Sequence, residues 1–211
     1  GDYVAWGGRL NFQSPEGLHE TDISVSYTPQ SFLDKEERLH FNWNYQHGSW
    51  KLNASHNAAD FYDLFGPTKT SRKGNSLQVN YTKSLIYDAP KSMNLVFTLT
   101  GYNKLEVLPE YQNEPTSNDK FVTGRIALNY SNIQASLGAV DYEKGVSWHL
   151  VSTNTYVSKT LFSKVHSNLD LGVPLPLNHS SVWLRSSAGY ADGDRSEPFD
   201  NFFFGGFGNN Y

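Results

Sequence analysis

Residues 39–46 read Leu-His-Phe-Asn-Trp-Asn-Tyr-Gln, four apolar residues alternating with four uncharged polar ones. Successive strand side chains point to opposite faces, so this pattern predicts a β-strand with one apolar and one wet face. The same period of two recurs along the whole chain. Alternation and turn signals predict about eleven strands, at 3–13 (broken at Gly7-Gly8), 20–28, 38–46, 50–58, 76–85, 94–105, 121–130, 133–140, 146–157, 161–173 and 181–190. His47-Gly48 makes the clearest tight hairpin, Ser131-Asn132 reads as a second turn, and Pro174 ends the tenth strand. Three connections, 60–75, 103–120 and 191–201, are long and polar. Beyond one turn at 32–38 no helix is expected. No linker or internal repeat divides the chain, which predicts a single domain over 1–211.

The polar partners in these strands are mostly Asn, Gln, Ser and Thr rather than Lys and Glu. Strands of about 9–11 residues suit a tilted membrane crossing, whereas soluble strands average five or six. Together these features predict an all-β fold, an antiparallel up-and-down transmembrane β-barrel with apolar residues toward lipid and polar residues toward the interior.

Composition changes this picture little. Hydrophobic residues are 38% of the chain and mean hydropathy is -0.54. No run of about 18 apolar residues exists, which excludes a spanning helix. Aromatics reach 15%, a share that interfacial girdles would explain. The absence of Cys excludes a disulfide framework and a thiolate zinc site. A net charge of -4 gives no basic footprint for nucleic acid. The chain starts at Gly1 and stops in a Gly-rich stretch, so it reads as a piece of a larger barrel.

Candidate chemistry is sparse. The seven His residues show no metal-ligand spacing, and His40, His56 and His149 read as polar-face residues. A lipase-type barrel would need paired Ser and His, but His179-Ser180-Ser181 reads as a turn whose neighbours point apart. The expectation is therefore no enzyme and no cofactor. Lys69, Arg72 and Lys73 form a small basic cluster, either a solvated loop or a contact for phosphate headgroups. The Asn-x-Ser/Thr matches at Asn53, Asn80, Asn129 and Asn178 are what chance gives in a chain so rich in these residues. Residues 34–38 read as a solvated charged turn. Arg125 and Lys51 read as nearly the only charged strand-face residues, which argues against a passive pore.

The stretch Pro198-Phe199-Asp200-Asn201-Phe202-Phe203-Phe204-Gly205-Gly206 resembles the interior-loop motif of the bacterial surface-antigen barrels, the family of the outer-membrane insertase and the two-partner secretion transporters. That family places a long loop in its interior after the eleventh of about sixteen strands. The resemblance implies that Pro198, Phe199, Phe202, Gly205 and Gly206 shape such a loop, beginning within 191–211. The family's Arg is absent where Asn209 and Asn210 stand. Trp6-Gly7-Gly8, Ser14-Pro15-Glu16-Gly17 and Asp63-Leu64-Phe65-Gly66-Pro67 resemble barrels that follow a periplasmic WD40-like propeller. The resemblance implies a bacterial outer-membrane location and a role in anchoring, and in inserting or moving protein or lipid. The implied partners are outer-membrane lipid and a periplasmic propeller or other outer-membrane proteins. The rival expectation is a secreted β-sandwich or jelly roll that stacks Trp and Tyr on sugars. What separates the two is where the alternating apolar residues point.

Overall fold

The computed structural model describes residues 4–29, 31, 34–58, 62–63, 70–71, 73–105, 118–193, 198–200 and 202, with backbone alone at 62–63, 70–71 and 198. Ten strands form one antiparallel meander in which each pairs with its sequence neighbours. They are β1 (Trp6–Gln13), β2 (His19–Tyr27), β3 (Leu39–His47), β4 (Trp50–His56), β7 (Asn75–Asp88), β8 (Lys91–Asn103), β9 (Phe121–Gln134), β10 (Lys144–Val157), β11 (Thr160–Pro174) and β12 (Ser181–Ala191). A separate ribbon, β5 (Tyr62–Asp63) with β6 (Thr70–Ser71), lies in the connection between β4 and β7. The described residues add two short 3-10 turns, Lys35–Glu37 and Pro198–Asp200. No described helix is long and apolar enough to cross a membrane.

Two expectations change. The strands predicted at 121–130 and 133–140 are one strand, β9, which runs straight through Ser131-Asn132. Both residues are paired on each side: Ser131 with Ser92 and Ser147, Asn132 with Lys91 and Val146. The real turn follows at 135–143, where Gly138 takes φ +85 and Leu137 and Val140 are fully exposed. The main sheet therefore has ten strands rather than eleven. Gly7-Gly8 does not interrupt β1, whose pairing with β2 is continuous from Trp6 to Gln13. The edge strands β1 and β12 do not pair with one another, so the sheet is not closed into a barrel.

Directly opposed residues in an antiparallel pair share a face, so the registers sort every strand residue. One face carries Leu10, Ile23, Trp43, Leu52, Val79, Leu99, Ile126, Leu150, Val165 and Leu184. The other carries Asn11, Asp22, Asn44, Asn53, Gln78, Thr100, Thr123, Thr155 and Arg185. Burial runs opposite to polarity. Val151 at 0% exposure and Ala127 at 1% lie on the polar face, as do buried Thr100 and Thr155, while Trp6, Leu77, Leu99, Leu161 and Leu184 are exposed. Side chains crowd on the inner side of a bent sheet and splay on the outer, so the sheet curls with its polar face inward.

The register also drifts steadily. A row perpendicular to the strands passes through Phe12, Thr21, Tyr45, Leu52, Val79, Leu99, Gly124, Asn154 and Ser163. Phe12 lies one residue from its strand end, whereas Ser163 lies at the opposite end of β11, eleven residues before Pro174. Ten residues of drift at about 3.3 Å, across eight spacings of about 4.8 Å, correspond to a strand tilt of about 40°. Barrels fall in the range of roughly 35–45°.

The two ends of the sheet differ. Connections 14–18, 48–49, 89–90, 135–143 and 175–180 share one rim, and 28–38, 57–74, 104–120 and 158–159 share the other. The start of β1 lies on the rim with the long connections.

Candidate functional surfaces: the exposed apolar face and the turn at 198–202

The apolar face is continuous across all ten strands. Its aromatic residues stand near both rims and also at mid-height, where Trp43, Tyr81 and Phe97 lie. Trp6, Tyr27, Tyr156 and Tyr190 stand at the long-loop end, and Phe12, Tyr45, Trp50, Tyr130 and Trp148 toward the short-turn end. Tyr130 and Trp148 stack across β9 and β10 with ring centroids 5.6 Å apart. At mid-height the face also carries Ile23, Ile126, Leu128 and Leu150, with Ser152, Ser167 and Ser186 among them. On β11 the face runs from Leu161 to Val173, a length of about 40 Å along the strand and about 30 Å from rim to rim at the tilt above.

The polar face is held by its own network. Asn53 Nδ2 donates to Asn42 Oδ1 at 3.0 Å and Asn44 Oδ1 at 2.6 Å, Asn80 donates to Thr98 at 2.8 Å, and Thr123 and Thr155 bond at 3.1 Å. Arg9 Nε donates to Asp22 Oδ2 at 2.7 Å. A hollow of about 630 Å³ opens here, lined by Glu20, Asp22, Asn44, Gln46, Lys51, Asn53, Gln78 and Asn80. The face also carries Arg125, Lys164, Asp170 and Arg185. It is therefore far more charged than the expected pair of Arg125 and Lys51, because which residues share a face depends on a register that alternation alone does not give.

After β12 the chain turns back over this polar face. Asp192 N–H donates to Ser163 O at 3.1 Å. The turn at 198–200 then sets Phe199, 8% exposed, in a cluster with Leu105, Phe121 and Val157, flanked by Tyr102 and Phe162. The Phe199 ring meets Phe121 edge-on at 5.3 Å and stacks on Phe162 at 5.8 Å. Phe202 lies beyond it, with the Lys164 ammonium 5.8 Å from its ring centroid and His166 edge-on at 6.3 Å. Gly189 makes this approach possible, since a Cβ there would stand 2.8 Å from the Phe202 ring.

Of the sequence-predicted loop residues, Phe199 and Phe202 are thus brought together on the inward face. Pro198 begins the turn. Gly205 and Gly206 lie outside the described residues. Of the expected basic cluster, Lys69 and Arg72 also lie outside them, and Lys73 forms an ion pair with Glu36 at the long-loop rim. That pair holds the Glu36 carboxyl below its usual range and the Lys73 ammonium above its own. Beside it Asn57, buried at φ +46, ties three segments together. Its Nδ2 donates to Glu36 O at 2.5 Å and Leu39 O at 3.2 Å, and its Oδ1 accepts from Gly74 N–H at 2.8 Å. His179 sits in a turn at φ +53, with Nδ1 3.2 Å from Glu143 Oε1 rather than against a Ser. Among the described residues no group of three His, Asp or Glu side chains is placed to hold a metal.

The sequence missed Gly189, Lys164 and His166 as the seat of Phe202. No local signal marks them, because all three depend on a contact made after the chain reverses. In comparisons with known proteins, no family model, no curated protein and no solved structure matches the chain.

Proposed function

We propose that this chain is the wall of a bacterial outer-membrane β-barrel, a non-enzymatic membrane anchor whose apolar face meets lipid. One observation carries the reading: the apolar residues lie on the outer, exposed face of a curled sheet, and the polar residues line its inner face. A sandwich or jelly roll would cover the apolar face with a second layer. The tilt of about 40° supports the same reading, as do the aromatic residues that stand near both rims. Three of the four connections on one rim are long, and all but 135–143 on the other have six residues or fewer, which fits a barrel with the latter rim in the periplasm. Phe199 and Phe202 on the inner face fit an interior loop, as the resemblance to the surface-antigen barrels suggests. A role in inserting or moving protein or lipid belongs to that resemblance.

The test is membrane fractionation of the protein expressed with an export signal, followed by gels of heated and unheated samples. A compact band in the outer-membrane fraction that shifts on boiling supports the reading. A soluble protein without a heat shift would sink it.

A further inference from the structure

Charge is almost absent from the apolar face. Among the described strand residues, the charged side chains whose register places them there are Lys83, Asp88, Lys91 and Lys144. All four lie toward the short-turn end of three nearby strands, β7, β8 and β10. Lys91 and Lys144 open their strands, and the three lysines are exposed. Lys83 stands five residues from the end of β7, close to the level at which Tyr130 and Trp148 stand four residues from theirs. The long-loop half of the same face carries no such charge in its described strand residues.

Resting on the membrane reading above, we propose that Lys83, Lys91 and Lys144 form a rim site for the anionic headgroups of phospholipid in the leaflet on the short-turn side. A lysine at the edge of an apolar surface lays its methylenes along that surface and lifts its ammonium to the headgroups. From the registers, Lys91 and Lys144 are two strand spacings and two residues apart, about 12 Å. Each therefore meets a separate headgroup, and the site is a segment of the lipid annulus rather than a closed pocket. Asp88 faces Lys91 across the hairpin and offsets one positive charge, leaving a net excess of two. Tyr130 and Trp148 fix the depth at which the lysines work, because amphipathic rings settle at the headgroup boundary.

The experiment uses the full chain refolded into phosphatidylcholine vesicles that contain brominated lipid as a quencher of tryptophan. Trp50 and Trp148 lie on the apolar face at the short-turn end and report locally once Trp6 and Trp43, on the same face, are replaced by Phe throughout. Brominated phosphatidylglycerol should quench at severalfold lower mole fraction than brominated phosphatidylcholine, since each lysine near an anionic surface adds roughly a fivefold preference. The triple variant K83Q/K91Q/K144Q should lose that preference and keep its quenching by brominated phosphatidylcholine. The double variant K104Q/K120Q, at the opposite rim, should retain the preference. Equal quenching by the two lipids, a preference that survives the triple substitution, or one that vanishes in the double variant overturns the rim site and leaves the membrane reading intact. Absence of quenching by brominated phosphatidylcholine overturns the membrane reading itself.

Discussion

Two positions on β9 separate a lipid-facing surface from a water-facing one. Ile126 and Val122 both lie on the apolar face, 46% and 43% exposed. They differ in depth. Ile126 stands near the middle of its 14-residue strand, in a row with Phe97 and Ser152, whereas Val122 is the second residue, beside Tyr156 at the rim. If water covers the face, Ile126→Arg and Val122→Arg should cost alike, within about 0.5 kcal/mol of one another, because equally exposed surface side chains are replaced. If lipid covers it, the cost depends on depth: about 2–4 kcal/mol for Arg near the midplane and about 0–1 kcal/mol near the interface. The difference of about 2–3 kcal/mol corresponds to a factor of roughly 30–150 in the folding equilibrium. Denaturant titrations of folding into vesicles, followed by tryptophan emission and by gel mobility, measure both variants against the parent. Equal penalties at the two positions would refute lipid contact, whatever their size. A penalty larger at Val122 than at Ile126 would show that the sheet sits at a different height from the one its rim aromatic residues indicate.

Phe199→Ala should cost about 3 kcal/mol by emptying the ring site between Phe121 and Phe162, read as a lower denaturant midpoint; an unchanged midpoint would mean that the turn does not hold to the sheet. Gly189→Leu should expel Phe202 from its seat beside Lys164 and His166, and protease should then cleave near 198–202 faster than in the parent while the strands stay protected. Asn57→Ala should cost about 2–3 kcal/mol, because it strips partners from the backbone groups of Glu36, Leu39 and Gly74; Asn57→Gly should cost less, since it relieves the positive φ. In an NMR titration Glu36 should lose its proton at a pH below the ordinary carboxylate value, and Lys73→Gln should move it back up. The sign follows from the pair: the folded-state value is depressed, so its contribution holds at neutral pH and is lost as pH falls through that value.

The strands were legible because a period of two is written in each one separately. Residues 39–46 and 76–82 need no partner to declare their two faces. What joins strands is not written locally. Ser131-Asn132 carries turn residues, yet both sit in a ladder between β8 and β10, and that pairing outweighs their preference for a turn. The charges of the inner face were undercounted for the same reason: Lys164 and Asp170 meet Arg125 and Arg185 only through the registers of β10 and β12. The tilt is a property of ten registers together and appears in none of them alone. Phe199 and Phe202 stood out as an aromatic run, but their seat at Phe121, Phe162 and Gly189 required the chain to turn back across the sheet.

A face of this size decides what can surround it. Exposed apolar side chains recur on it from Trp6 and Leu10 on β1 to Leu184 and Tyr190 on β12, a spread beyond the few hundred Å² of the largest apolar patch on an ordinary soluble monomer. Burial of such a face is favourable at about 25 cal/mol per Å² of apolar surface removed from water. The cover is therefore either hydrocarbon or a second protein layer. A protein layer would have to match a convex surface whose strands run at about 50° to its rims, and it would bury Lys83 and Lys144, and Lys91 beside Asp88, at a desolvation cost of several kcal/mol per charge unless it brought acidic partners. Fluid acyl chains adapt to convexity and leave the same lysines at the headgroups. The curvature and the confinement of charge to one rim therefore both favour lipid as the cover.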